Sequence, residues 1–385
     1  MGSLLLRKGL VVFQFVVSCC LIIGTAVLYR QLDYMQTQDL GMNLEQLLVV
    51  QGPSITSDDQ GERVQVFKEA LDRLPFVEQY SASHSVPSGG YNFFAAGFTS
   101  LHPAPGDEKK SYAMAIVDGN YFDTYGITLA AGQPFTPEMV QRGWQGNHLI
   151  LNEKAAQALG FEPAATAVGQ RILWGDGDYE IQGVIKDYHH ASLRQPIDPI
   201  IFLPNPSSGY FTLRMTTHNL PAKLAQIAQQ FGDIFPAEPF DYFFLDEQFD
   251  QQYRSEQQFG QVFTAASALA IFIACLGLFG LAAYAAEART KEVGIRKVFG
   301  ATVQNVVLLL SKDFLKLVAL ALVLSVPLTW YAADRWLQDF TYRTEIHWWL
   351  FALTGALALG IALVTVSFHA IKAALANPVQ SLRDE

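Results

Sequence analysis

The chain has 385 residues, of which 50% are hydrophobic and 16% are charged. The charged share is below the roughly 25% that is usual for soluble domains, so the composition argues against a purely soluble protein. The formal net charge is −10, and the exported region predicted below has no basic stripe, which argues against a nucleic acid partner.

The first predicted element is a transmembrane helix at residues 9–29, after a short cytoplasmic N-terminus at residues 1–8. The run is uncharged and has the length of about 20 residues that a membrane crossing requires. Residues 16–19, Val-Val-Ser-Cys, match a bacterial lipoprotein cleavage pattern. The apolar run continues well beyond Cys19, which favours an uncleaved spanning helix.

Residues 30–260 are predicted to form an extracytoplasmic domain of mixed α/β type on a helical stalk. This region has 14 basic and 28 acidic residues. Alternating apolar patterns predict strands near 47–50, 113–117, 149–151, 172–174, 179–185, 200–203, 211–215 and 242–245. Helical spacing predicts helices near 64–74, 153–159 and 220–231, and the sequence DGNYFDTYG at 118–126 predicts a turn. The middle is richer in Gly and Pro, which indicates a base built from both ends and an inserted second lobe at about residues 85–206.

The stalk is inferred from a lack of helix breakers. No Gly or Pro lies between Gly24 and Gly41, although the chain becomes polar at Arg30, and none lies in residues 240–259. Two helices that project from the membrane explain this pattern. A pair of loops that happen to lack breakers is the alternative.

The sequence contains little that points to catalysis. It has no phosphate-binding glycine loop and no paired-Cys or His-Glu-x-x-His zinc motif. Asp187, His189 and His190 lie close together, but adjacent histidines on a strand point to opposite faces, which disfavours a shared metal. The prediction is a non-enzymatic chain without a metal or cofactor of its own.

The second predicted transmembrane helix covers residues 261–286. Its small residues recur at about helical spacing, which lets helices approach closely in lipid and predicts a helix-packing surface at Ala266, Ala270, Ala274, Gly277 and Gly280. The alternative is that Ala and Gly are simply common in spanning helices.

A short charged segment, residues 287–302, follows directly. Glu287–Lys291 and Glu292–Arg296 are acid-to-base pairs four residues apart, which support a helix. The segment is therefore predicted to be a cytoplasmic amphipathic helix. One interpretation is that it lies on the anionic inner leaflet, and the other is that it docks on a partner protein.

Two more transmembrane helices are predicted at residues 314–333 and 348–368, with an extracytoplasmic loop at 334–347 and a cytoplasmic tail at 369–385. The third contains Pro327 and has the shortest uncharged run, residues 317–333, which reaches spanning length if the Lys316 side chain extends to the membrane surface. Lys and Arg residues cluster before the first helix, between the second and third, and after the fourth. This distribution places both termini and the segment 287–302 in the cytoplasm.

Residues 288–302, ARTKEVGIRKVFGAT, closely resemble the cytoplasmic signature of the FtsX/MacB-like ABC-transporter permeases. Residues 272–284 resemble the helix that precedes this signature, and residues 376–382 resemble the C-terminal motif of the family. Residues 179–202 resemble the exported domain of the Bacteroidetes-type members. The resemblance covers most of the chain and matches the C-terminal four-span half of permeases about twice as long, so both a half-length protein and a fragment stay open.

This resemblance implies a fold of four transmembrane α-helices and a porter-like base with an inserted lobe, in the bacterial inner membrane. It implies a coupling helix that docks on a separate ABC ATPase subunit, which binds the ATP, and a second permease protomer or half. By carry-over, the docking residues are Thr290, Lys291, Glu292, Gly294, Ile295, Arg296, Lys297 and Gly300.

The implied function is mechanotransmission, in which ATP hydrolysis below the membrane moves the domain above it. Its purpose would be export or extraction of a peptide, drug or lipoprotein. Two alternatives stay open: a regulator of an extracytoplasmic partner such as a cell-wall hydrolase, and a membrane-anchored binding protein without an ATPase. The sequence does not identify the substrate.

Overall fold

The computed structural model describes residues 2–55, 59–101, 103–289, 292, 295–296, 299 and 302–375. The chain divides into two compact units, of which one combines Met1–Thr37 with Arg254–Glu385 and the other is Gln38–Tyr253. We refer to them as the helical unit and the α/β unit.

Long helices begin and end the chain, and shorter helices alternate with strands between them. The helices are α1 (Gly2–Thr37), α2 (Gln60–Asp72), α3 (Tyr121–Tyr125), α4 (Pro137–Arg142), α5 (Glu153–Ala158), α6 (Leu220–Ile234), α7 (Leu245–Gln251), α8 (Arg254–Ala288), α9 (Val303–Leu337) and α10 (Trp348–Leu375). The strands are β1 (Leu47–Gln51), β2 (Val77–Ser83), β3 (Phe93–Ala95), β4 (Thr99–Ser100), β5 (Tyr112–Val117), β6 (Leu129–Gly132), β7 (His148–Asn152), β8 (Arg171–Trp174), β9 (Gly177–Ile185), β10 (Ile200–Pro204), β11 (Tyr210–Met215) and β12 (Tyr242–Phe244).

The helical unit consists of α1, α8, α9 and α10. Among the described residues, three helices are long and apolar enough to cross a membrane: Leu5–Thr37, Arg254–Ala288 and Trp348–Phe368. The third predicted span, residues 314–333, lies within α9 but is not among these three. The count of four spans therefore stays a prediction.

Pro327 lies inside α9 and does not end it. Proline lacks the N–H that would bond to the carbonyl four residues earlier, so a helix that contains it depends on other contacts. Hydroxyl side chains on either side of this position bond to carbonyls of the preceding turn: Ser325 Oγ donates to the Leu322 carbonyl at 3.1 Å, and Thr329 Oγ1 donates to the Ser325 carbonyl at 2.8 Å. The helix continues past the proline to Leu337.

The α/β unit is built on one mixed sheet with the strand order β12-β1-β11-β2-β5-β10-β7-β9-β8-β4, with β3 paired to β5 and β6 to β9. The pairs β5–β10 and β7–β9 are parallel, and the other pairs are antiparallel. The strands at its centre are apolar on both faces: every residue of β5 and β10 is buried. Such strands need cover on both sides, which the surrounding helices and loops supply.

Three hydrophobic clusters lie in the described part of this unit, and two of them draw their buried members from different parts of the chain. One draws all its buried members from residues 48–82 and 211–235, and Phe67 packs at its centre, edge-on to Phe211 and Phe231 with ring centroids 4.9 Å and 5.5 Å apart. The other draws its members from residues 98–203. The bounds of a base and an inserted lobe stay a prediction, because one sheet runs through both.

Three local predictions are wrong. Residues 240–259 are not one helix: the predicted strand near 242–245 is present as β12, which pairs with β1, and α7 and the start of α8 follow it. The segment 118–126, predicted to be a turn, contains α3, whose aromatic side chains are buried. His189 and His190 follow β9 and lie outside any strand, so the opposite-face argument does not apply to them.

Candidate functional site

The segment that follows α8 contains the predicted docking residues. Thr290, Lys291, Gly294, Lys297 and Gly300 lie outside the described residues. Glu292, Ile295 and Arg296 are described, and all three are helical and exposed. The docking role of the eight residues is not tested by this structure and stays a prediction.

The described part of the segment is a helical turn that carries charge and apolar surface together. Arg296 Nη2 lies 2.7 Å from Glu292 Oε1, and both side chains are about half exposed. Ile295 is 49% exposed and Phe299 is 86% exposed, and the Phe299 N–H donates to the Ile295 carbonyl at 3.2 Å. Because these apolar residues are four apart, they lie on one face of the turn.

The segment is fixed at both ends. Arg289, just after α8, donates from Nη2 to Asp313 Oδ2 of α9 at 2.8 Å. At the start of α9, Thr302 Oγ1 accepts a bond from the Asn305 N–H at 3.4 Å, as an N-cap residue does. The sequence motif pointed to Arg289 only as one of several basic residues, and Asp313 lay outside the motif.

The predicted helix-packing residues of α8 differ in their surroundings. Ala274 is 1% exposed, whereas Ala266 and Ala270 are half-buried. A Cβ on Gly277 would clash with the carboxamide of Gln14 on α1, so that glycine permits a close approach. Gly280 is exposed, and a Cβ there would have no neighbour within 4 Å.

The structure extends this packing into an antiparallel seam between α1 and α8, which we call the α1–α8 seam. At one end, a Cβ on Gly260 would lie 3.1 Å from Leu28. In the middle, Thr25 Oγ1 and Ser267 Oγ are 3.1 Å apart. At the other end, the Arg7 guanidinium lies 5.1 Å from the centroid of the Tyr284 ring.

The seam therefore spans residues 7–28 of α1 and 260–284 of α8, or roughly 32–36 Å at 1.5 Å per residue. Close backbone approach and hydroxyl pairing of this kind replace the hydrophobic effect, which is absent between helices in lipid. Gly260 and Ser267 did not stand out in the sequence, because single small residues are common in apolar helices.

The loop between α9 and α10 is attached to α1 by one buried side chain. Gln31 is fully buried; its Nε2 donates to the Tyr342 carbonyl at 2.9 Å, and its Oε1 accepts from the Thr344 N–H at 2.8 Å. Nearby, the Arg30 guanidinium lies 5.3 Å from the Trp349 ring centroid. These contacts fix the predicted extracytoplasmic loop to the first helix.

In the α/β unit, the contacts of His190 are those of a residue that supports the fold. His190 is buried, with Nδ1 3.0 Å from the Tyr188 hydroxyl and Nε2 2.9 Å from the Gly90 carbonyl, and its ring stacks on Tyr91 at 4.3 Å. Burial lowers the pKa of His190 to about 4. Among the residues that the structure describes, no group of three or more His, Cys, Asp or Glu side chains could hold a metal ion.

Two family models match the chain. The model of the MacB-like periplasmic core domain matches residues 14–232, and the model of the FtsX-like permease C-terminal domain matches residues 264–378. No curated protein sequence matches the chain.

Several solved structures are similar to part of the chain. The periplasmic region of MacB from Actinobacillus actinomycetemcomitans is 13% identical, with a TM-score of 0.37, over 57% of this chain and 97% of that one. The extracellular domain of the noncanonic ABC-type transporter YknZ from Gram-positive bacteria is 13% identical, with a TM-score of 0.33, over 51% and 97%. A domain of a putative permease from Porphyromonas gingivalis is 14% identical, with a TM-score of 0.31, over 51% and 88%.

Proposed function

Because the chain belongs to the FtsX/MacB-like family of ABC-transporter permeases, we propose that it couples ATP hydrolysis on a separate ATPase subunit to movement of its α/β unit. Permeases of this family work with an ABC ATPase subunit and are typically not catalytic themselves. The proposed mechanism is mechanotransmission, and the proposed task is export or extraction of a peptide, drug or lipoprotein.

The observation that carries the proposal is the exposed turn to which the described residues Glu292, Ile295, Arg296 and Phe299 belong. It presents an ion pair of both signs, Glu292 with Arg296, beside the exposed ring of Phe299. An aromatic side chain that is 86% exposed next to charges of both signs suits a protein groove, where aromatic anchors and paired charges give affinity and specificity. A lipid surface requires only basic charge and apolar area.

The contacts around this turn support the proposal that its movement is transmitted through the helices to the α/β unit. Arg289 joins the end of α8 to Asp313 of α9, so a displacement of the turn acts on both helices. The α1–α8 seam then couples α8 to α1 along its length. Both helices continue beyond the predicted spans, α1 to Thr37 and α8 from Arg254, and the chain enters the α/β unit at these two points.

The finer features of the assembly are part of the same proposal. We infer four spans, with the third in α9, a helical stalk formed by the extensions of α1 and α8, and a bacterial inner-membrane location with cytoplasmic termini. The active unit would contain two permease protomers or halves, and lipid would surround the exposed apolar faces of the helices.

Substitutions in the turn test the docking role. Glu292→Lys and Gly294→Leu are introduced into the tagged full-length chain, and the ABC ATPase that co-purifies with the parent is identified by mass spectrometry. We expect both variants to lose most of the co-purified ATPase and most permease-stimulated ATP hydrolysis. In the Glu292→Lys variant, a positive charge faces the positive group of the ATPase groove that would pair with Glu292. Such a contact between like charges costs several kcal/mol.

The control is Glu345→Lys, the same chemical change at an exposed position of the loop between α9 and α10. It should retain the parent's ATPase. Membrane insertion and monodisperse elution are checked for every variant. Parental ATPase binding and stimulation by both turn variants would show that the segment lies on lipid, because added basic charge favours an anionic surface.

A further inference from the structure

A cleft of about 160 Å³ opens between α1, α8 and α9, at the end of the helical unit that is predicted to be cytoplasmic. Its walls are mainly apolar and include Leu281 of α8 and Phe314 and Leu317 of α9. Ala285 and Ala288 leave the space open on the α8 side, because their side chains are short. The cleft is thus an apolar slot between helices.

The rim of the cleft is cationic. Lys8 of α1 and Arg289 after α8 both line it, and Arg7 lies against the adjacent Tyr284 ring. Among the described residues that line the cleft, Asp313 is the one acidic residue, and it accepts a hydrogen bond from Nη2 of Arg289. Among the described residues, Lys8 has no hydrogen bond or ion pair. Lys8 and Arg289 together carry two positive charges against the single negative charge of Asp313, so the rim has a net positive charge.

We propose that this cleft binds one anionic phospholipid, with its phosphate between Lys8 and Arg289 and an acyl chain along Leu281 and Leu317. Basic pockets between spanning helices suit anionic headgroups on the cytoplasmic side of a membrane. The apolar walls favour a lipid over a free phosphate ion, because a small anion gains nothing from Phe314 and Leu317. The proposal does not depend on ATPase docking, since none of these contacts involves residues 292–299.

A bound lipid would have a structural consequence. The cleft is bounded by the Arg289–Asp313 pair, which fixes the start of the docking segment to α9. A phosphate that bridges Lys8 and Arg289 adds α1 to this junction. The lipid would then hold the three helices together at the point where the segment emerges.

Native mass spectrometry of the purified full-length chain tests the proposal, with 1-palmitoyl-2-oleoyl phosphatidylglycerol or the corresponding phosphatidylcholine titrated into the detergent. We expect the parent to retain phosphatidylglycerol in preference to phosphatidylcholine. Lys8→Gln, which leaves the Arg289–Asp313 pair intact, should weaken phosphatidylglycerol binding several-fold. Adding Arg289→Gln should bring the loss to about tenfold or more, since each basic residue near an anionic lipid contributes.

Two further variants separate charge from shape. Lys312→Gln with Lys316→Gln removes the same charge from α9 at exposed positions that do not line the cleft, and should bind as the parent does. Ala288→Phe fills the cleft without changing its charge and should reduce binding of phosphatidylglycerol. Circular dichroism and elution profiles verify that each variant is folded.

Three results would each overturn the proposal. The first is equal retention of the two lipids by the parent. The second is an equal loss in the Lys312/Lys316 variant, which would show a diffuse surface charge effect. The third is displacement of the lipid by inorganic phosphate at concentrations similar to those of the lipid, which would show a site for a free anion.

Discussion

At the scale of single residues, His190 combines full burial with two hydrogen bonds that suit its neutral form. The Nε2–H donates to the Gly90 carbonyl, and Nδ1 accepts from the Tyr188 hydroxyl. A protonated ring would carry a donor at both nitrogens, so the Tyr188 hydroxyl would have to turn and accept, and the charge would be buried without a counter-charge in these two bonds. Burial therefore holds the pKa of His190 at about 4, below the ordinary 6.5.

This shift predicts an acid-sensitive α/β unit. Between pH 6.5 and 4 the unfolded chain binds the proton and the folded chain does not, so stability falls as the pH drops through this window. At about pH 5 the loss from this one group is about 2 kcal/mol. The melting midpoint of the parent should fall more between about pH 7 and about pH 5 than that of His190→Gln, as measured by differential scanning fluorimetry of the full chain.

The matched control is His218→Gln, at an exposed histidine of the same unit. Its melting midpoint should follow the parent at both values of pH. If His190→Gln shows the same acid sensitivity as the parent, other groups cause the loss of stability. Gln is chosen because its carboxamide N–H can still reach the Gly90 carbonyl.

At the scale of elements, the α1–α8 seam predicts a graded response to side-chain size at Gly277. A Cβ at this position meets the end of the Gln14 side chain, which can rotate away, so Gly277→Ala should be tolerated. Gly277→Leu exceeds this room and should cost about 1–3 kcal/mol through overpacking. The measurement is the thermal midpoint of the detergent-solubilised chain.

Gly280 supplies the comparison, since it lies on the same helix one turn away with open space around it. Gly280→Leu should leave the midpoint unchanged. Equal destabilisation by the two Leu variants would mean that bulk anywhere on α8 is harmful, and the seam would not be the cause.

Elements with a strong local pattern could be predicted from the sequence, and those defined by their neighbours could not. The apolar runs of β5 and β10 predict buried strands, and both are found there. β2 was missed, because its sequence VEQYSAS is mostly polar and it becomes a strand through pairing with β11 and β5. The Asp, Gly and Asn residues around α3 predict a turn, although burial of its aromatic rings stabilises a short helix.

The same distinction applies to the candidate site. The motif in residues 288–302 pointed to the segment, since its charge pattern is local. The contact of Arg289 with Asp313 could not be predicted, because it joins two helices and depends on their packing. The partners Gln14 and Gly277 are further examples, since nothing in either local sequence indicates the other.

At the scale of the whole molecule, the distribution of Lys and Arg predicts which parts lie on each side of the membrane. Single cysteines replace Asp176 in the α/β unit, Glu345 in the loop after α9, and Gln304 at the start of α9, all at exposed positions. In cells with a permeabilised outer membrane, an impermeant maleimide should label the first two and not the third.

The native Cys19, Cys20 and Cys275 lie in α1 and α8, and the parent chain measures their background labelling. After disruption of the inner membrane, the cysteine at position 304 should become labelled. Labelling at 304 in intact cells, or protection at 176, would contradict the predicted orientation.

The hydrophobic cluster around Phe67 has a consequence for the order in which the α/β unit folds. Its two halves, residues 48–82 and 211–235, are separated by the whole middle of the unit. Synthesis runs from the N-terminus, so the first half is made early and has no partner until the second half appears. Phe67 and Leu71 therefore stay exposed during that interval, which is a hazard for aggregation in slow, non-local folds. The middle, whose cluster lies within residues 98–203, can meanwhile close on itself. The middle of this unit would thus fold before its two ends. A chain whose synthesis stops before residue 211 would leave Phe67 and Leu71 exposed to quality-control proteases.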